Sequence, residues 1–172
     1  CQLTIENRGP EAARLRVLPQ VWFRNTWAFE PELGRPSLIE QAPGSVQLTH
    51  PQLSVFHLYF DEEPELLFTE NETNHERLFP GQKNESPYVK DGINDCVVQG
   101  RQDAVNPGKQ GTKAAAHYRL TIASGKSVSV RLRLTGQSAA GESGKTRAIP
   151  SRFGAEFDET LAIRQQEADA FY

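Results

Sequence analysis

Two stretches of this sequence place chemically capable side chains close together. The first is Trp22-Phe23-Arg24-Asn25-Thr26-Trp27. An indole covers the C–H face of a pyranose while amide and guanidinium groups bond its hydroxyls, so Trp22, Arg24, Asn25 and Trp27 are candidate sugar contacts. The competing reading is a core strand whose indoles simply pack, and in an unbroken strand positions 22 and 27 fall on opposite faces. The second stretch runs Glu70-Asn71-Glu72-Thr73-Asn74-His75-Glu76-Arg77, then Tyr88-Val89-Lys90-Asp91-Gly92-Ile93-Asn94-Asp95. Carboxylates among amides suit acid–base work or polyol binding, and a buried Lys90 beside Asp91 would tune a pKa. Glu70, Asn71, Glu72, Asn74, Tyr88, Lys90, Asp91, Asn94 and Asp95 are therefore candidates for substrate binding or for a domain interface. Set against this is a plain solvated acidic loop.

Other chemistries find no pattern. Asp91-Gly92-Ile93-Asn94-Asp95 lacks calcium-loop spacing, and His50, His57, His75 and His117 lack metal-ligand spacing, so no metal and no cofactor are expected. No nucleophile elbow, P-loop or dinucleotide fingerprint is present, and Gly108-Lys109-Gln110-Gly111-Thr112-Lys113 has the wrong order for a phosphate cradle. Asn71-Glu72-Thr73 and Asn84-Glu85-Ser86 match the glycosylation acceptor, but nothing indicates secretion. Cys1 and Cys96 give no disulfide framework, which makes a reducing, cytoplasmic setting the default.

The elements that must position these residues read mostly as strands. Alternation marks Gln2 to Glu6 and Arg14 to Leu18, with Arg8-Gly9-Pro10-Glu11 between them as a hairpin-like return. Ser37–Glu40, Val46–Thr49, Leu53–Phe60 and Leu66–Thr69 follow, with turn signals about every ten residues, the spacing of a sandwich or barrel. From Glu70 to about Gly111 regularity stops, and a loop of that length inside a domain suggests function, with Phe79 and Tyr88 favouring an ordered excursion. Ala115 to Ile122 and Val128 to Leu134 alternate cleanly about Ala123-Ser124-Gly125-Lys126 and read as a hairpin. Thr135 to Lys145 is a Gly/Ser/Ala-rich connector, and Phe157, Leu161, Ile163, Ala168 and Phe171 keep the spacing of an amphipathic helix from about Gly154.

The chain has 172 residues, enough for one core. Lys plus Arg is 19 and Asp plus Glu is 22, a net charge of −3 that argues against nucleic acid or an anionic membrane as partner. Methionine is absent and the chain opens on Cys1 beside a strand-like run, which reads as a piece of a longer protein.

Longer motifs carry a resemblance. Asn7-Arg8-Gly9-Pro10-Glu11-Ala12-Ala13, Leu18-Pro19, the 22–27 run, Leu66 to Asn74, Pro87 to Asp95, Asp103-Ala104-Val105-Asn106-Pro107 and Gly111 to Ala116 together resemble the amino-terminal region of bacterial glucosidase-like proteins. These are similar to glycoside hydrolase family 63, the family of mannosyl-oligosaccharide glucosidase. One departure is Cys96, where the resemblance leads one to expect an aromatic residue. The resemblance implies an all-β, super-sandwich-like β-sandwich of antiparallel strands at 1–153, with the excursion at about 70–111. A helix at 154–172 would lead toward a missing (α/α)6 catalytic domain, the implied partner. It further implies that this piece holds no catalytic residue, the acid pair of an inverting α-glucosidase lying in the barrel. The excursion would reach the mouth of the pocket for an oligosaccharide or glycoside substrate. The alternative is an autonomous carbohydrate-binding sandwich with Trp22 or Trp27 as platform.

Overall fold

Turn-forming residues cut the chain into short strands, which the computed structural model describes over residues 1–136 and 152–171. In chain order they are β1 (Gln2–Glu6), β2 (Ala13–Val17), β3 (Gln20–Trp22), β4 (Ser37–Ala42), β5 (Ser45–Thr49), β6 (Phe56–Phe60), β7 (Glu65–Thr69), β8 (Gln110–Gly111), β9 (Lys113–Ile122) and β10 (Ser127–Gly136). Helices α1 (His75–Leu78) and α2 (Gly92–Gln99) lie between β7 and β8, and α3 (Ala155–Phe171) follows β10. Among the described residues all pairings are antiparallel. One sheet has the order β1-β10-β6-β5-β4-β8. In the other, β9 pairs with β2 and β3 along one edge and with β7 along the other. The fold is thus an all-β sandwich with a carboxy-terminal helix.

Leu38, Val46, Leu48, Leu58, Phe60 and Val130 of the larger sheet meet Leu66, Phe68, Ala114, Ala116 and Tyr118 of the smaller one. Because side chains alternate along a strand, Leu67 and Ala115 point the other way, into a second core with Ile93, Cys96 and Val105 beneath α2. The smaller sheet is therefore buried on both faces, which is why Leu66-Leu67-Phe68 and Ala114-Ala115-Ala116 run apolar without alternation. Cys96 is 4% exposed, and a small side chain suits this position because the helix shares a core with Leu67 and Ala115 of the sheet; burial pushes its thiol pKa up.

The structure corrects several expectations. β1 and β2 form no hairpin, and neither do β9 and β10, since the members of each pair lie in different sheets. Each turn carries the chain across the sandwich, and the two crossings lie side by side. Asn7 N–H donates to the Lys126 carbonyl at 2.9 Å, and the Asn7 carbonyl accepts Gly125 N–H at 2.9 Å. The Asn7 amide joins the crossings further, donating to the carbonyls of Glu11 and Ile122 at 2.8 Å each. The strand expected over 53–60 begins only at Phe56, and the run from Val21 stops at Trp22 instead of continuing to Trp27. Along α3, Phe157 is the buried residue, packed at 5.4 Å on Phe153 beneath Arg131, so most of the apolar spacing read there stays exposed. The connector expected at 135–145 lies beyond residue 136 outside the described residues, as does the helix end at Tyr172.

The excursion at 70–111 is ordered by its ties to β7. Tyr88 and Phe68 carbonyls accept N–H groups of Glu70 and Asn106 at 2.7 and 2.8 Å, and Thr112 N–H returns to the Thr69 carbonyl at 3.1 Å. Two glycines permit this closeness. A Cβ on Gly92 would strike the Ala104 carbonyl oxygen, and one on Gly111 would strike that of Thr69. Gly92→Ala is expected to cost about 1–3 kcal/mol through overpacking. Urea denaturation measures it, and an unchanged midpoint would contradict the packing described.

His117 lies on the face of β9 away from the opposite sheet and is 4% exposed. Its Nε2 is 2.8 Å from Arg16 Nη1 and its Nδ1 is 3.2 Å from Glu65 Oε2, with Arg119 on the same carboxylate. A guanidinium only donates, so Nε2 must accept and the proton resides on Nδ1, donated to Glu65. Burial is the largest influence, and together with repulsion from Arg119 and Arg16 it outweighs the Glu65 hydrogen bond and lowers the imidazole pKa from 6.5. The folded form resists the extra proton that the unfolded form accepts, so stability is full above pH 6.5 and falls as pH drops through the lowered value. Denaturation midpoints at pH 7.5 and pH 5 are expected to differ less in His117→Gln than in the parent; an equal difference would refute this.

Candidate functional site

Glu70 and Glu72 leave the end of β7 two residues apart, which directs both carboxylates to one side. Between them stands Arg35, from the loop before β4, its Nη2 at 2.8 Å from Glu70 Oε2 and 2.8 Å from Glu72 Oε1. Burial works against the Arg35 charge, but the Glu70 hydrogen bond, with the charges of Glu70, Glu72 and Glu85, outweighs it and raises the guanidinium pKa. Trp27, 9% exposed, donates Nε1–H to Glu72 Oε1 at 3.2 Å, and its ring lies 5.9 Å from the Arg35 guanidinium. Thr112 Oγ1 donates to Glu70 Oε2 at 2.7 Å and accepts Asn71 N–H at 2.7 Å. The Asn71 amide donates to the Phe23 carbonyl at 3.0 Å and that of Asn25 donates to the Asn71 carbonyl at 3.1 Å. The two stretches read as separate clusters are thus one hydrogen-bonded unit. Trp27 is one of its supports.

A second group continues from it. Asn74 caps α1, its Oδ1 accepting Arg77 N–H at 3.1 Å, while its Nδ2 donates to both oxygens of Asp91 at 3.2 and 3.1 Å. Arg77 Nη1 is 3.1 Å from Asp91 Oδ2 and 3.9 Å from Asp95 Oδ1, and Arg101 Nη1 donates to Asp95 Oδ2 at 3.3 Å. Asp95 is 9% exposed, and its Oδ1 is fully buried without a hydrogen bond in the structure. These groups line an open cleft of about 530 Å3 between α1 and α2, with Asn84, Gln99 and Asp103 at its margins. Among the described residues no three His, Cys, Asp or Glu side chains come together as metal ligands.

The remaining candidates lie on the other flank. Lys90 is exposed, not buried, because its Nζ reaches out to Thr73 Oγ1 at 3.2 Å; its N–H is held by the Glu72 carbonyl at 3.1 Å. Asn94 is exposed on α2, and Trp22 is 53% exposed at the end of β3. Arg24 is exposed, its carbonyl accepting Thr26 N–H at 2.9 Å, and Tyr88 is half-buried, its backbone serving Glu70. Sequence reasoning missed the cations Arg35, Arg101 and Lys113 and the Thr112 hydroxyl that join these groups, and it quoted Arg77 in the second stretch without making it a candidate. Two acidic residues at i and i+2 after a buried strand were the signal that a cation must stand opposite.

Fold and site together define a sandwich domain with a helical cover and a polar, ion-paired excursion at one end. The chain is similar to an uncharacterized protein of Saccharomyces cerevisiae, YMR196W, with 34% identity over 201 aligned residues. The match takes in 99% of this chain and 18% of the yeast protein, so the chain spans less than a fifth of the curated relative's length. No family model matches the chain. No solved structure matches it either. Among the described residues no helix is long and apolar enough to cross a membrane.

Arg35→Ala leaves Glu70 and Glu72 facing each other and removes the cover from Trp27. Since Arg35 is partly exposed, the expected loss is roughly 1–2 kcal/mol, between the costs for exposed and buried pairs. Arg35→Lys should recover part of the loss, because a single nitrogen makes both contacts and an ammonium can stand in its place, though without the guanidinium plane beside Trp27. Thermal denaturation of both variants tests this, and a neutral Ala variant would contradict it.

Proposed function

We propose that this chain is a non-catalytic β-sandwich domain of an α-glucosidase-type glycoside hydrolase, supporting a catalytic barrel and contributing its 70–111 excursion to the substrate pocket. The observation that carries this reading is the excursion itself. It is tied to β7 at both ends and presents an open cleft of amides, carboxylates and guanidiniums, the groups that bond sugar hydroxyls.

The pairing of the acids supports a non-catalytic role. Hydrolysis of a glycosidic bond uses two carboxyl groups with room for substrate, and for water in the inverting case, between them. Here Glu70 and Glu72 share one guanidinium, and Asp91 and Asp95 share another. Carboxylates so held suit orientation of a ligand and maintenance of the loop, not proton transfer. The similarity of the chain to one portion of a much longer protein agrees with a domain role. A second reading, an autonomous carbohydrate-binding module, is favoured by one observation, the exposed indole of Trp22.

The test pairs this chain with the longer protein on maltose and related α-glucosides. The chain alone is expected to show no turnover. Arg77→Ala or Asp91→Asn in the longer protein is expected to raise KM about tenfold with a smaller effect on kcat, as loss of ground-state binding requires. Appreciable turnover by the chain alone, or unchanged kinetics in variants whose circular dichroism is intact, would overturn the proposal.

A further inference from the structure

Away from the acidic cleft, β3 and α2 border a shallow groove of about 200 Å3 whose lining is half apolar, Leu18 and Val97 among it, and half polar, with Gln20, Lys90, Asn94 and Lys113. Gln20 and Trp22 lie two apart on β3 and so share a face, and Trp22 is the register partner of Lys113 across the ladder. The Lys113 ammonium stands 5.7 Å from the centre of the Trp22 ring and donates to the Lys90 carbonyl at 3.4 Å. Two lysines thus border a groove on a chain of net negative charge, and the exposed Trp22 indole stands beside one of them, Lys113.

We propose that this groove is a subsite for a sugar ring bearing an anionic group, a carboxylate or a phosphate, with Trp22 against the ring and Lys113 and Lys90 on the charge. The indole supplies a flat apolar surface of the size of a pyranose, and Gln20 and Asn94 supply amides for its hydroxyls. The charge requirement follows from the balance of ions around the lysines. Lys113 is half-buried, and burial, followed by repulsion from Lys90, holds its pKa below the ordinary value. Asp91 is the nearby opposing charge, but its oxygens are engaged by Asn74 and Arg77 on the side of the acidic cleft. An anion entering the groove relieves that repulsion and meets partly desolvated donors, where charge-assisted hydrogen bonds are strong. A neutral sugar gains the stacking and the amide hydrogen bonds but not the charge-assisted ones. The inference rests on the reading of this end of the sandwich as substrate-facing and adds the chemical class of the ligand.

The experiment is calorimetric titration of this chain with glucuronate, glucose 6-phosphate, glucose and inorganic phosphate. Glucuronate and glucose 6-phosphate are expected to bind saturably, more weakly as salt rises, and at least about tenfold more tightly than glucose or phosphate alone. Lys113→Gln should weaken the anionic sugars about tenfold while leaving glucose unchanged, and Trp22→Ala should weaken all three sugars. Lys126→Gln, in the turn after β9, is a control expected to change nothing. Absence of saturable binding by either anionic sugar overturns the proposal. So does glucose binding as tightly as glucuronate, or phosphate binding as tightly as glucose 6-phosphate. These outcomes are separate from the failure of the proposed domain role, which is read from the kinetics of the Arg77 and Asp91 variants.

Discussion

The smaller sheet has no wet face at its centre, and the rest of the molecule is arranged around that constraint. β7 and β9 must satisfy a sheet packing from one side and a helix from the other. Alanine at 114, 115 and 116 is the answer on β9, because larger side chains on both faces would hold α2 and the larger sheet too far apart to share the strand. β7 carries the bulk instead, as Leu66, Leu67 and Phe68. Once α2 must cover Leu67 and Ala115, the chain after β7 has to leave the sandwich, cross over the sheet and return to start β9. The excursion is the path of that detour.

The polar chemistry follows from the same geometry. Glu70 and Glu72 continue the two-residue period of β7 past the end of the strand, where the burial that served Leu66 and Phe68 gives way to ion pairing. Arg35 arrives from a different part of the chain and turns two acids that would repel each other into a clamp on the loop. Thr112 does the same at smaller scale with one hydroxyl, donating to Glu70 and accepting from Asn71. Trp27 therefore has a scaffolding task, while Trp22, five residues earlier, has its ring in solvent.

Local physics was legible in the sequence and long-range pairing was not. Alternation and turn residues located the strands and the all-β class, and the density of Asn, Asp and Gly located the excursion and most of its polar groups. The two supposed hairpins show the limit. A Gly-containing turn between alternating runs marks a reversal, but the same four residues serve whether the next strand joins its predecessor or crosses to the facing sheet. Trp22 to Trp27 failed for a related reason, since aromatic β-propensity extends past the point at which the chain turns toward Asn71. Arg35 and Arg101 carried no local signal at all, being single cations in loops whose importance comes only from the carboxylates the fold sets opposite them.

The two crossings between sheets have a consequence for how the chain acquires its structure. β1 pairs with β10, Gln2 opposite Arg131, so β1 finds its partner only after some 130 further residues have been made. At usual synthesis rates that interval is on the order of ten seconds, during which β1 and β2 stay unpaired and the larger sheet cannot close. Contacts of such separation make for slow, late-committing folding, in which both sheets finish together and neither waits as a stable half. The nascent chain would spend that time with its strand edges open, and the polar side chains Thr4, Glu6, Arg14 and Arg16 along them are well suited to keeping those edges soluble until β9 and β10 arrive.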